Sequence, residues 1–215
     1  MLDGIGTDAA AVTAAIRAGR EFMGIRATMG AGYGDGSVSA WTSAEWVALT
    51  DVGQPVTVTV TGEADRNVAD VENGDLTPVS GSHWAASEIL AKRWPVLYVN
   101  RSNKAAVIAA CKIQHNMMPG SYGLWVATLD GTFTDMDGTD LRAQPGVVAV
   151  QYLPAGVSLN GVNSKGEFDV SLVVDATWLP VKPPQPSLRA LLGSALGKLG
   201  ADLAAVNELA AKVPG

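Results

Sequence analysis

The chain has 215 residues, enough for one large or two small domains, and 47 % of them are hydrophobic against 17 % charged, which excludes a disordered chain. A net charge of −6 without a basic cluster gives no footprint for nucleic acid or for an anionic bilayer. The only cysteine, Cys111, rules out an intramolecular disulfide framework, and His83 and His115 are too far apart in sequence to suggest a zinc motif.

The first residues, Met1-Leu2-Asp3-Gly4, lack the basic and apolar regions of a signal peptide, and no apolar run approaches the length of a membrane span. The expectation is synthesis and assembly in a cytoplasm without membrane insertion. Leu2-Asp3 reads as a very short first strand. Thr7 or Asp8 can cap a helix over Ala9 to Arg17, with Val12 and Ile16 on one face and Gly19 as its stop. The apolar run Phe22 to Thr28 predicts a buried strand, and Gly30 to Gly36 a glycine-rich loop. That loop has Asp35 where a dinucleotide fingerprint needs its third glycine, so no cofactor is expected.

Thr42-Ser-Ala-Glu45 is a capping box for a helix through Leu49, and Val56 to Thr61 alternates as a strand. Only Gly62 to Asn67 separates it from the next strand, too short a connection for a crossover helix. That strand ends in Asp70 and Glu72, two residues apart and followed by the turn residues Asn73-Gly74-Asp75. On a strand the two carboxylates share a face, with Cα atoms roughly 6.5–7 Å apart. Like charges this close raise one pKa and suit a general acid beside an ionised partner. A strand end with two solvated acids has the same spacing.

Ser82 to Arg93 predicts a helix, Pro95 to Val99 a strand, and Ser102 to His115 a second helix in which Cys111 is a core residue. Gly123 to Ala127, Val147 to Tyr152 and Phe168 to Val174 complete eight strand-like runs. Strands alternating with helices predict an α/β protein with a mainly parallel sheet, closed as an irregular TIM-type (β/α) barrel with an incomplete helical ring. A doubly wound open sheet is the alternative. Asp65, Asp130, Asp135, Asp137 and Asp140 fall in polar loops and read as solvated acids.

The barrel is assigned to residues 1–179. Pro180 to Pro186 carries four prolines in seven residues, a stiff linker. Residues 187–215 predict a C-terminal amphipathic helix in which Leu192, Leu199, Val206 and Val213 recur every seven residues. Such a stripe calls for a partner: copies of the chain, the barrel, or another protein.

Asp70-Val-Glu72, Pro95-Val-Leu-Tyr98, Leu124-Trp125-Val-Ala127, Val150-Gln151-Tyr152 and Phe168-Asp169 come in an order and spacing that resemble glycoside hydrolase family 25, the lysozyme-like muramidases common among phage lysins. Phe22 to Thr28 is similar to that family's second strand, so the resemblance covers residues 1–178. It implies a cleft at the C-terminal face of the barrel acting on peptidoglycan. Glu72 would be the general acid, Asp70 and Asp169 would position or stabilise the oxocarbenium-like centre, and Asp3 would complete the cluster. Tyr98, Trp125, Tyr152 and Gln151 would line the sugar site, although each fits ordinary packing. No metal is implied. The clipped first strand and the missing helix between the third and fourth strands depart from the family's pattern.

Three functions are compatible with this reading. They are a muramidase-type enzyme, a minor tail protein of a phage virion that binds or locally opens the host wall, and a free endolysin. The tail segment has no aromatic wall-binding repeat, which favours the virion protein, assembled in the host cytoplasm and joined to other tail proteins or to itself through residues 187–213.

Overall fold

A computed structural model describes residues 1–4, 8–36, 40–153, 158–159, 162–163 and 168–179. The chain divides into two units, Met1–Pro180 and Val181–Gly215. The linker and C-terminal helix expected over residues 180–215 lie outside the described residues.

The first unit is a mixed α/β structure built on a closed barrel of eight strands. In chain order the elements are β1 (Leu2–Gly4), α1 (Ala9–Arg17), β2 (Glu21–Phe22), β3 (Ile25–Arg26), β4 (Met29–Tyr33), α2 (Ser43–Thr50), β5 (Gln54–Thr59), β6 (Val68–Asp70), α3 (Pro78–Leu90), β7 (Val96–Asn100), α4 (Arg101–His115), β8 (Gly123–Ala127), β9 (Val147–Leu153), β10 (Ser158–Leu159), β11 (Val162–Asn163) and β12 (Asp169–Val173). The barrel order is β1-β12-β9-β8-β7-β6-β5-β4, closed by β1 against β4. Seven strands run parallel. The eighth, β12, is antiparallel to both β1 and β9, so its first residue, Asp169, faces Asp3 at the C-terminal ends of the others.

The main departure from the sequence reading is the second barrel strand. Phe22 to Thr28 is not a barrel strand: β2 and β3 form a small hairpin, with Met23 and Gly24 at positive φ in its turn. The barrel strand is the glycine-rich segment β4. Its glycines face outward, where a Cβ on Gly30 would lie 2.8 Å from the Leu49 side chain and one on Gly32 only 2.3 Å from the Trp41 ring. The helices and Trp41 sit too close to the barrel wall for any side chain there. Smaller shifts affect the helices. The third starts at Pro78, because Thr77 accepts a hydrogen bond from the Ser80 amide, and α4 is capped by Asn100 rather than Ser102. The capping box of α2 forms with Thr42 and Glu45 as expected.

Three apolar clusters hold the unit together. Ala31, Val56, Val58, Val68, Val96 and Trp125 fill the barrel interior. Val71, Trp84, Leu97, Val107, Cys111 and Leu124 join the outer wall to α3 and α4. Leu2, Val12, Ile16, Phe22, Leu49 and Phe168 join it to α1, α2 and the β2–β3 hairpin. Each fully buried aliphatic or aromatic side chain contributes about 1.5–3 kcal/mol relative to exposure. No helix lies between β5 and β6. That connection is instead pinned by Thr59 Oγ1, which accepts from the Gly62 and Glu63 amides, and by the Trp84 indole, which donates to the Glu63 carbonyl at 3.0 Å.

Candidate functional site

Parallel strands bring their C-terminal residues to one end of a barrel, the end where side chains from several strands converge. Here Asp3 from β1, Tyr33 from β4, Asp70 from β6, Tyr98 from β7, Trp125 from β8, Gln151 from β9 and Asp169 from β12 meet at that end. They form two connected groups.

The first group centres on Asp3, which is buried. Gln151 Nε2 donates to Asp3 Oδ1 at 3.0 Å and Ser171 Oγ to Asp3 Oδ2 at 3.3 Å. Trp125 Nε1 donates to Ser171 Oγ at 3.0 Å, and the Tyr98 hydroxyl donates to Gln151 Oε1. Asp169 shares a hydrogen bond with Asp3. Burial, and then the charge of Asp169, push the Asp3 carboxyl well above its ordinary range.

The second group centres on Asp70, which is 2 % exposed. Tyr33 donates to its Oδ2 at 3.1 Å, while Oδ1 is buried without a hydrogen-bond partner. Burial first, then the charges of Glu72 and Asp75, push its pKa up to about 8; the Tyr33 hydrogen bond opposes the shift. Glu72 follows the strand end and is half-buried. Burial raises its pKa too, Asp75 adds to the rise, and a hydrogen bond from Asn100 opposes it. Asp70 is therefore the closed, protonated member of the pair and Glu72 the one that reaches solvent. Val71 between them packs against the α3 side, but β6 ends at Asp70, so Glu72 lies in the bend beyond the strand rather than on it as expected. Asn103 Nδ2 anchors this turn by donating to the Val71 carbonyl at 2.8 Å.

A cavity of about 40 Å³ lies between the groups, lined by Asp3, Tyr33, Tyr98, Trp125, Gln151 and Asp169 among others. It has room for a few water molecules and not for a sugar ring.

Of the residues expected to line a sugar site, Tyr98, Trp125 and Gln151 are at this end. Trp125 is a buried floor residue, its ring in T-shaped contact with Tyr98 at 5.0 Å between centroids. Tyr152 is not with them. It turns outward from β9 and packs 5.0 Å from the Phe133 ring, because Gln151 takes the inward position. Sequence reasoning missed Asp75, Asn100 and Ser171, and read Tyr33 as a loop residue. Their only sequence signal is position: each lies at or just beyond a strand end at this face, or beside one across the sheet.

Some expected solvated acids are instead paired. Asp135 forms an ion pair with the buried Lys104, and Asp130 pairs with Arg101 at 2.6 Å. Among the described residues no group of three or more His, Cys, Asp and Glu side chains is placed to hold a metal ion, and no helix is long and apolar enough to cross a membrane. Comparison with protein-family models, curated proteins and solved structures gives no match.

Proposed function

We propose that the acidic end of the barrel is a glycan site of glycoside hydrolase family 25 type, on an irregular TIM-type barrel carried by a minor tail protein of a phage virion. Its role is to bind host peptidoglycan and cleave it locally. The observation that carries the reading is the convergence of Asp3, Asp70, Glu72 and Asp169 at the C-terminal ends of the barrel strands, with the two neighbouring acids Asp70 and Glu72 in unlike surroundings. Glycoside cleavage needs one carboxyl that holds a proton and can deliver it to the glycosidic oxygen. Glu72 has a raised pKa and access to the mouth, so it is the acid.

Asp70 stays neutral up to about pH 8 and so orients groups by hydrogen bonding rather than by charge. Asp3 and Asp169, which share a hydrogen bond, complete the acidic cluster. The virion placement rests on the apolar stripe of residues 187–213, which calls for a partner, together with the resemblance to phage muramidases.

The test is release of reducing ends from purified peptidoglycan by the full chain. Wild type is expected to release them, fastest at mildly acidic pH and slowing as Glu72 ionises. Glu72→Gln is expected to lower the rate by about 10²–10⁴-fold, the usual worth of a general acid. Release that survives in Glu72→Gln would overturn the assignment of the acid. Binding without any release by wild type would make the site a wall-binding one.

A further inference from the structure

The two histidines of the chain are separated by 32 residues in sequence, yet their rings meet on the outer surface of the barrel. His83 lies within α3 and His115 is the last residue of α4. His115 Nε2 and His83 Nδ1 are 2.9 Å apart, and the rings cross at 82° with centroids 4.8 Å apart. The pair is exposed and lies outside both acidic groups at the barrel mouth.

We infer that His83 and His115 form a two-nitrogen clip for a divalent transition-metal ion, copper(II) above all, that ties α3 to α4. Imidazole nitrogens bind such ions at about 2.0–2.1 Å. Two nitrogens in adjacent corners of a square-planar or octahedral shell then lie about 2.8–3.0 Å apart, whereas a tetrahedral zinc shell spreads them to about 3.3–3.4 Å. The observed 2.9 Å is an ordinary hydrogen-bond distance between the free rings and brings the two nitrogens within reach of either shell. In the metal-free protein one ring donates a hydrogen bond to the other; on metal binding the donor ring shifts its proton to its other nitrogen, and a small rotation of the rings points both lone pairs at the ion.

No third His, Cys, Asp or Glu ligand joins the pair among the described residues, which leaves the other positions to water. A site of two imidazoles with open positions binds in the order nickel, then copper above it, with zinc below copper. The geometric demand on α3 and α4 is already met by their packing through Trp84, Val107 and Cys111, so binding costs little reorganisation. The ion would stabilise the fold by mass action, because the unfolded chain does not hold the two rings together. This inference is independent of the glycan reading.

The experiment uses the full chain without an affinity tag. It is titrated with copper(II), nickel(II) and zinc(II) salts by calorimetry, with the copper complex examined by electron paramagnetic resonance and thermal unfolding followed in parallel. Expected are one copper(II) per chain, hyperfine coupling to two imidazole nitrogens, and a Tm that rises with added copper. His83→Gln and His115→Gln each weaken copper binding at least about tenfold and abolish the rise in Tm, while circular dichroism stays as in wild type. Copper affinity unchanged in the double variant would overturn the proposal, and so would a wild-type chain that forms no stoichiometric complex.

Discussion

The two acidic groups at the barrel mouth are each built on a buried aspartate but solve different problems. Asp3 is surrounded by partners: Gln151, Ser171 and Asp169 account for its oxygens, and Trp125 and Tyr98 brace those partners in turn. It sits where β1 meets the antiparallel strand β12, so it fastens the seam that closes the barrel. Asp70 has one donor, Tyr33, and one orphaned oxygen, and its neighbour Glu72 opens to solvent. A buried acid with every partner in place is costly to remove. A buried acid with an unmet oxygen is costly to keep, and such cost gathers where a site does chemistry.

Replacing each acid should expose this difference. Asp3→Ala leaves the buried Gln151 amide and Ser171 hydroxyl without their acceptor, and each orphaned group costs about 1–3 kcal/mol. Urea denaturation should show a loss of at least about 2 kcal/mol in stability, with hydrolysis falling only as far as folding does. A loss within about 0.5 kcal/mol would remove Asp3 from the seam, since that is what surface substitutions give.

Asp70→Asn should have the opposite sign. Below the ordinary pKa of 3.8 the folded and unfolded states are both protonated, and burial imposes no ionisation penalty. As pH rises the unfolded chain ionises while the folded one resists until about pH 8, so wild type loses stability across that window. The asparagine variant does not, and should be more stable than wild type at pH 9 by more than about 1 kcal/mol, the worth of a single pKa unit. The gap should close by pH 4. A destabilised variant at pH 9 would mean that Asp70 is a satisfied carboxylate like Asp3. The smallest effect is expected from Tyr33→Phe. It removes the one donor that favours the charged form, so the Asp70 titration followed by carbon NMR should move further upward, by less than about one unit.

The contrast also marks where the sequence was legible. Asp70 and Glu72 were readable because they end an apolar run, and parallel strands carry such residues to one end; Asp3 and Asp169, the latter opening the antiparallel β12, were reached only through the resemblance. The second barrel strand was not. Gly30 and Gly32 have the composition of a loop, and the reason they form a strand lies in other elements: Leu49, Val12 and Trp41 approach too closely for side chains. The neighbouring apolar run Phe22 to Thr28 read as a buried strand, yet it turns at Met23-Gly24 and covers the outside of the barrel. Tyr33 was lost with that strand. Tyr152 was placed in the site by the resemblance, together with Gln151, but neighbours on a strand point to opposite faces. The His83–His115 pair could not be read at all, since only the packing of α3 on α4 brings the rings together.

The central claim, that a glycan lies across the open acidic group and not the closed one, is tested most directly by amide NMR of the full chain titrated with soluble peptidoglycan fragments. The account predicts shifts concentrated at Tyr33, Asp70 to Asp75 and Tyr98 to Asn100, with the outward-facing Tyr152 and Phe133 unmoved. A footprint centred on Tyr152 and Phe133, or no shift at any residue of the barrel mouth, would contradict it.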